Sequence, residues 1–151
     1  NKKKSLKSHE HGVGVLNIAQ EGNIFLFEFE IPGADIVGFE YEAKSESNKE
    51  KVANSLNILA EHKNMFVLPA SAECKSIESE AKVINEGKHS EFIAIYKLSC
   101  KQIELLKRIY IKYFKSFELS KKLNIKIFGN NKKSAYVIDR SKKIINVKNH
   151  F

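Results

Sequence analysis

Two histidines separated by a single residue stand near the start of the sequence, in His9-Glu10-His11-Gly12, and the chain runs from them straight into Val13-Gly14-Val15-Leu16-Asn17-Ile18-Ala19. Alternate side chains of an extended segment share a face, so both imidazoles project together. Neutral imidazole suits zinc, copper or nickel. Such a site takes about four donors, so the other candidates matter. His89 falls in the turn of an expected hairpin, at a strand end from which it can meet the N-terminal pair. Glu10, Glu40 and Glu91 are carboxylates able to complete an oxygen and nitrogen shell. The expected ligand set is therefore His9 and His11, with His89 or a carboxylate such as Glu40 or Glu91 completing the shell. His62 follows an expected helix, where positive charge suits the helix dipole, and reads as a cap-region residue. His150 lies near the end of the chain.

Other chemistries find no support in the motifs. The sequence has no Gly-x-Ser-x-Gly elbow, no phosphate-cradling glycine loop and no His-Glu-x-x-His helix. The expectation is a binding protein and not an enzyme. A formal charge of +8 invites a nucleic-acid reading. The lysines are nevertheless scattered, and arginine, which forks onto phosphate and guanine, occurs only at Arg108 and Arg140. Specific nucleic-acid binding is therefore not expected. No apolar run approaches the roughly 18 residues that a membrane helix needs.

The elements that must position these residues begin with a hairpin. Val13 to Gln20 and Asn23 to Ile31 are strand-like and flank Glu21-Gly22, with glycine expected in second place of a primed turn. Phe25, Phe27, Phe29 and Ile31 share one face and are assigned to the core. Pro32-Gly33 ends the strand. The apolar stretch Ala34 to Tyr41 and a polar linker, Glu42 to Ser47, follow. Ser47 and Glu50 fit a capping box for a helix over residues 48–61.

Met65 to Pro69 is a short apolar segment. A second hairpin then pairs Cys74 to Val83 with Glu91 to Cys100. Its two cysteines are equally distant in sequence from Gly87, so folding there brings the sulfurs together at the open end of the ladder. Two buried free thiols are the alternative. Matching apolar faces would pair Ile77 with Leu98 and Val83 with Phe92, one residue out of register with the cysteines. A bulge between Cys74 and Ile77 reconciles the two. A single disulfide implies an oxidising compartment.

Beyond it the pattern predicts a helical turn at 102–106, a strand at 108–113, a helix at 115–121 and strands at 124–128, 134–139 and 144–147. The expected class is α+β, an antiparallel sheet built from β-hairpins with two or three short helices on one face. At 151 residues the chain reads as one domain over 9–151 behind a flexible basic arm, residues 1–8, that carries Lys2-Lys3-Lys4 and Lys7. The absence of an initiating Met and of an apolar export segment reads either as an expressed portion of a gene product or as a mature product whose signal has been removed.

Several of these signatures keep a fixed order: His9-Glu10-His11-Gly12 into a strand, Glu21-Gly22-Asn23, Ile36-Val37-Gly38-Phe39-Glu40, Phe66-Val67-Leu68-Pro69 before Cys74, and Gly87-Lys88-His89-Ser90-Glu91-Phe92 before Tyr96 and Cys100. The set resembles the ZrgA-like family of zinc-regulated, zinc-binding periplasmic proteins. The resemblance implies export with a cleaved signal, periplasmic residence, zinc as the bound ion, and a zinc-import component or other envelope protein as partner. It implies no enzymatic activity. Two departures bear on the metal. Many members carry a long His/Asp-rich insertion between the cysteines, where this chain has only Ile84 to Lys88. The family often follows Gly-Phe-Glu with His, where this chain has Tyr41. An exported interaction module with a basic surface and no metal role is the alternative expectation.

Overall fold

Alternation of large apolar residues with polar ones drives the first two strands into a half-buried hairpin. The structure, a computed structural model, describes residues 10–151. Strands β1 (Val13–Glu21) and β2 (Ile24–Pro32) pair antiparallel, with Leu16 opposite Phe29 and Ile18 opposite Phe27. The connecting residues are Gly22 and Asn23, not Glu21 and Gly22. Gly22 has φ +63°, whereas Asn23 stays out of the positive-φ region. That pattern, glycine first, is the primed turn matching strand twist with a single left-handed residue.

Pro32 gives way to a one-turn helix, α1 (Gly33–Ile36), inside the stretch that the sequence marks only as apolar. Helix α2 (Glu46–Leu59) starts earlier than its expected box, because Ser45 and not Ser47 accepts the Asn48 N–H as N-cap. The short strand β3 (Phe66–Val67) precedes β4 (Cys74–Glu86) and β5 (His89–Cys100). Cys74 pairs with Cys100 and Val83 with Phe92, and the two sulfurs are bonded. The anticipated bulge is present but displaced. Ser76 faces Leu98 and Glu78 faces Lys97, so Ile77 is itself the extra residue and does not pair with Leu98. Expelled from the ladder, Ile77 is 46% exposed.

The ambiguous stretch after Cys100 resolves into a 3-10 turn (Ile103–Leu105), β6 (Arg108–Ile111) and a one-turn helix, α3 (Tyr113–Ser116), shorter than expected. Strands β7 (Lys122–Phe128), β8 (Lys133–Asp139) and β9 (Ile144–Asn146) complete the chain. Six strands form one sheet in the order β4-β5-β2-β1-β7-β8, and β3-β6-β9 form a second. One pairing departs from the antiparallel expectation: β1 and β7 run parallel.

Phe25, Phe27, Phe29, Tyr96, Leu16 and Ile125 line one face of the large sheet at 1% exposure or less. Buried residues of all three helices (Ile36, Leu59, Tyr113 and Phe114) join the same cluster. Phe66 of the small sheet stacks on Phe27 at 4.0 Å between ring centroids. Each such side chain removes enough apolar surface to contribute about 2 kcal/mol. The α+β class follows from this packing.

Candidate metal-binding site

Strand register gathers the donors. Because Val15 faces Glu30, the start of β1 lies beside the end of β2, and Pro32 in turn faces Glu91 near the start of β5. The residues around His11, the helix α1, His89 and Glu91 therefore meet at one end of the large sheet.

Two carboxylates tie that end together. Asp35, in α1, is 1% exposed, and its Oδ1 accepts the Gly12 N–H at 2.8 Å. Gly12 takes φ +88°, which only glycine adopts without strain, so the turn behind His11 depends on it. Glu40 accepts the Ala34 N–H through Oε2 at 2.9 Å and the Ser90 N–H through Oε1 at 3.1 Å. The same Oε1 faces His89 Nδ1 at 3.7 Å, an ion pair when the imidazole is protonated. Gly33 allows this closeness, since a Cβ there would sit 2.0 Å from Ser90 Oγ.

Of the expected ligands, Glu40 and His89 are thus brought together. Glu91 follows Ser90 on the same strand and is buried at 3% exposure. His11 is exposed at the mouth of the turn. His9 lies outside the described residues. Among the described residues, no three His, Cys, Asp or Glu side chains are close enough to hold a metal ion. What the sheet end presents is a histidine–carboxylate pair and a clamped histidine turn around α1. Sequence reading missed Asp35. A four-residue helix is too short to show a period, and the only signal was a lone acid in an apolar stretch.

The remaining histidines belong elsewhere. His62 does not cap α2, which ends at Leu59. It opens a 3-10 turn, His62–Asn64, with its ring against Phe66 and Tyr96. Burial holds it below the usual histidine value; Glu61 opposes that shift and Lys63 adds to it. His150 is buried, with Nε2 2.7 Å from Ser134 Oγ and Nδ1 3.3 Å from the Lys148 carbonyl. A carbonyl only accepts, so the Nδ1 N–H donates to Lys148, and in the neutral ring Nε2 accepts from the serine hydroxyl. Tyr41, standing where the resembled family often has His, is 55% exposed and stacks on Phe39.

Fold and sheet end together define a small disulfide-bridged α+β protein with histidines and carboxylates gathered beside its first strand. The family described as ZrgA family zinc uptake protein matches residues 8–147, nearly the whole chain, and the chain belongs to that family. No match was found among curated proteins. Among the described residues no helix is long and apolar enough to cross a membrane.

Proposed function

We propose that the chain is a periplasmic zinc-binding protein that captures Zn²⁺ for uptake and performs no catalysis. His9 and His11 are the primary ligands, and His89, Glu40 and Glu91 are the donors available to close the shell. The observation that carries this reading is the convergence of the histidine turn, α1, Glu40 and His89 on one end of the sheet. Membership of a family described as zinc uptake proteins supports zinc as the ion. The Cys74–Cys100 bridge suits an oxidising compartment outside the cytoplasm. Zinc is the cargo here. Imidazole must be neutral to bind it, so capture weakens as pH falls through the histidine range.

The test is a competition titration of tag-free protein against a zinc-chelating dye at neutral pH. The expected dissociation constant is tighter than about 10 μM, or roughly 7 kcal/mol of binding free energy. His9→Ala and His11→Ala should each weaken it at least tenfold. A wild-type protein with no affinity in that range would end the reading. Undiminished affinity in both variants would remove the histidine pair from the site.

A further inference from the structure

We propose that the open edge of β8 is a docking site for an extended acidic segment of a partner protein, which joins the large sheet as a further strand. The distribution of charge is the first observation. Lysines are scattered along the sequence, but the acids that offset them stop at Glu118, with Asp139 the single exception. Residues 1–118 carry 17 basic and 17 acidic residues, whereas residues 119–151 carry nine and one. The whole formal charge of +8 therefore falls on the part of the chain that holds β7, β8 and β9. Asp139 is occupied within its own turn, accepting from the Ser141 N–H and hydroxyl and from the Lys142 N–H. Arg140 is committed to the Phe114 and Phe117 carbonyls. The eight lysines of this part are all exposed.

The second observation is the backbone of β8, which ends the sheet order; among the described residues no strand lies on its far side. The Lys122 N–H bonds to Gly12 O, so even-numbered residues of β7 turn their backbone groups toward β1 and odd-numbered ones toward β8. Opposite those odd-numbered residues, Ser134, Tyr136 and Ile138 pair with Ile127, Ile125 and Leu123. Bonded and open residues alternate along an antiparallel pair, so Lys133, Ala135 and Val137 direct N–H and C=O to the open side. Their side chains stand on the outer face, where Val137 is 63% exposed. Such a row of backbone groups is what an added strand uses. Side chains select the occupant. A second copy pairing here edge to edge sets lysines against lysines, which is destabilising. An acid on the outer face of an added strand meets Lys133 and, across the small Ala135, Lys126, which faces Ala135 in register. The alternate residue lies on the inner face beside Tyr136, whose hydroxyl is held by Asn146 O. A segment that alternates acidic and apolar residues therefore fits both faces.

The experiment titrates the tag-free full chain into an end-labelled peptide that alternates glutamate and valine over the length of β8. Fluorescence anisotropy should show saturable binding with a dissociation constant below about 1 mM. Binding should weaken several-fold as salt rises from about 0.05 to 0.5 M. Ala135→Pro removes one outward N–H and keeps the β7 ladder, as edge strands allow, so it should abolish binding with melting little changed. Lys126→Glu with Lys133→Glu should weaken binding by about tenfold. A peptide that does not bind, or that binds wild type and a folded Ala135→Pro variant equally, overturns the inference. Phosphatidylglycerol vesicles that bind the chain where the peptide does not assign the basic edge to a lipid surface and overturn it too. If Ala135→Pro does not fold, the same peptide methylated on alternate amide nitrogens replaces the variant, and undiminished binding of it to wild type overturns the inference. None of these outcomes bears on zinc.

Discussion

At the scale of single residues, His62 shows how burial, opposed by Glu61 and reinforced by Lys63, can set a pH dependence apart from any metal. Its ring is wedged against Phe66 and Tyr96, and desolvation lowers its pKa below the ordinary 6.5. A base whose folded pKa is depressed binds fewer protons folded than unfolded once pH falls through the ordinary value. The unfolded state then gains, so stability present above pH 6.5 declines as pH falls toward the folded value. NMR titration of the chelator-treated protein should give His62 a midpoint below 6.5. His62→Asn should flatten the fall in melting temperature between about pH 7.5 and 5.5. A His62 midpoint at or above the ordinary value would contradict the burial argument. None of this was legible in the sequence, where a histidine after a helix suggested a dipole interaction. The helix stops at Leu59, short of the histidine, and the ring turns inward.

Among elements, the one-turn helix α1 packs against both β2 and β5. Helix α1 is a single turn with no side-chain cap, and Glu40 serves it from outside by accepting the Ala34 N–H. The other oxygen of Glu40 holds the start of β5 through Ser90, so one side chain joins two elements that meet at the candidate site. Glu40→Ala strands both donors, at about 1–3 kcal/mol each, and should cost about 2–6 kcal/mol in a urea unfolding experiment. Glu40→Gln retains an accepting oxygen and should cost about half as much. Equal stability of all three proteins would mean that water replaces the carboxylate. The sequence singled out Glu40 and His89 as candidate donors because residue type and turn position are local facts. It could not show α1, whose four residues are fixed by tertiary contacts instead of periodicity. The second hairpin was legible to within one residue, since cysteine spacing and apolar alternation disagreed by one and required a bulge. Which residue left the ladder was decided by neighbours that the strand's own pattern does not encode. The parallel pairing of β1 with β7 was equally hidden, because alternation fixes which face is buried and not the direction of the partner.

For the molecule as a whole, the disulfide and the candidate metal site lie at opposite ends of the same sheet. His89 opens β5 at the end holding Glu40 and α1, and Cys100 closes it at the other. Eleven residue steps of extended chain separate them, about 36 Å at the usual rise. The bridge closes a loop with a sequence separation of 26 and fastens the exposed edge strand β4 to β5. Loop-closure entropy for that length is worth about 3–4 kcal/mol when the effect is assigned to the unfolded chain. The bulge at Ile77 lies beside the bridge, so an edge strand already out of regular register is held where its ladder is weakest. Cys74→Ser with Cys100→Ser should therefore lower unfolding free energy by about 3–4 kcal/mol, read as a shifted denaturation midpoint. Zinc affinity measured on the folded double variant should stay within about twofold of wild type, because no donor at the far end moves. Loss of zinc affinity in a variant that remains folded would show that β5 couples the two ends, and that bridge and metal site do not act independently.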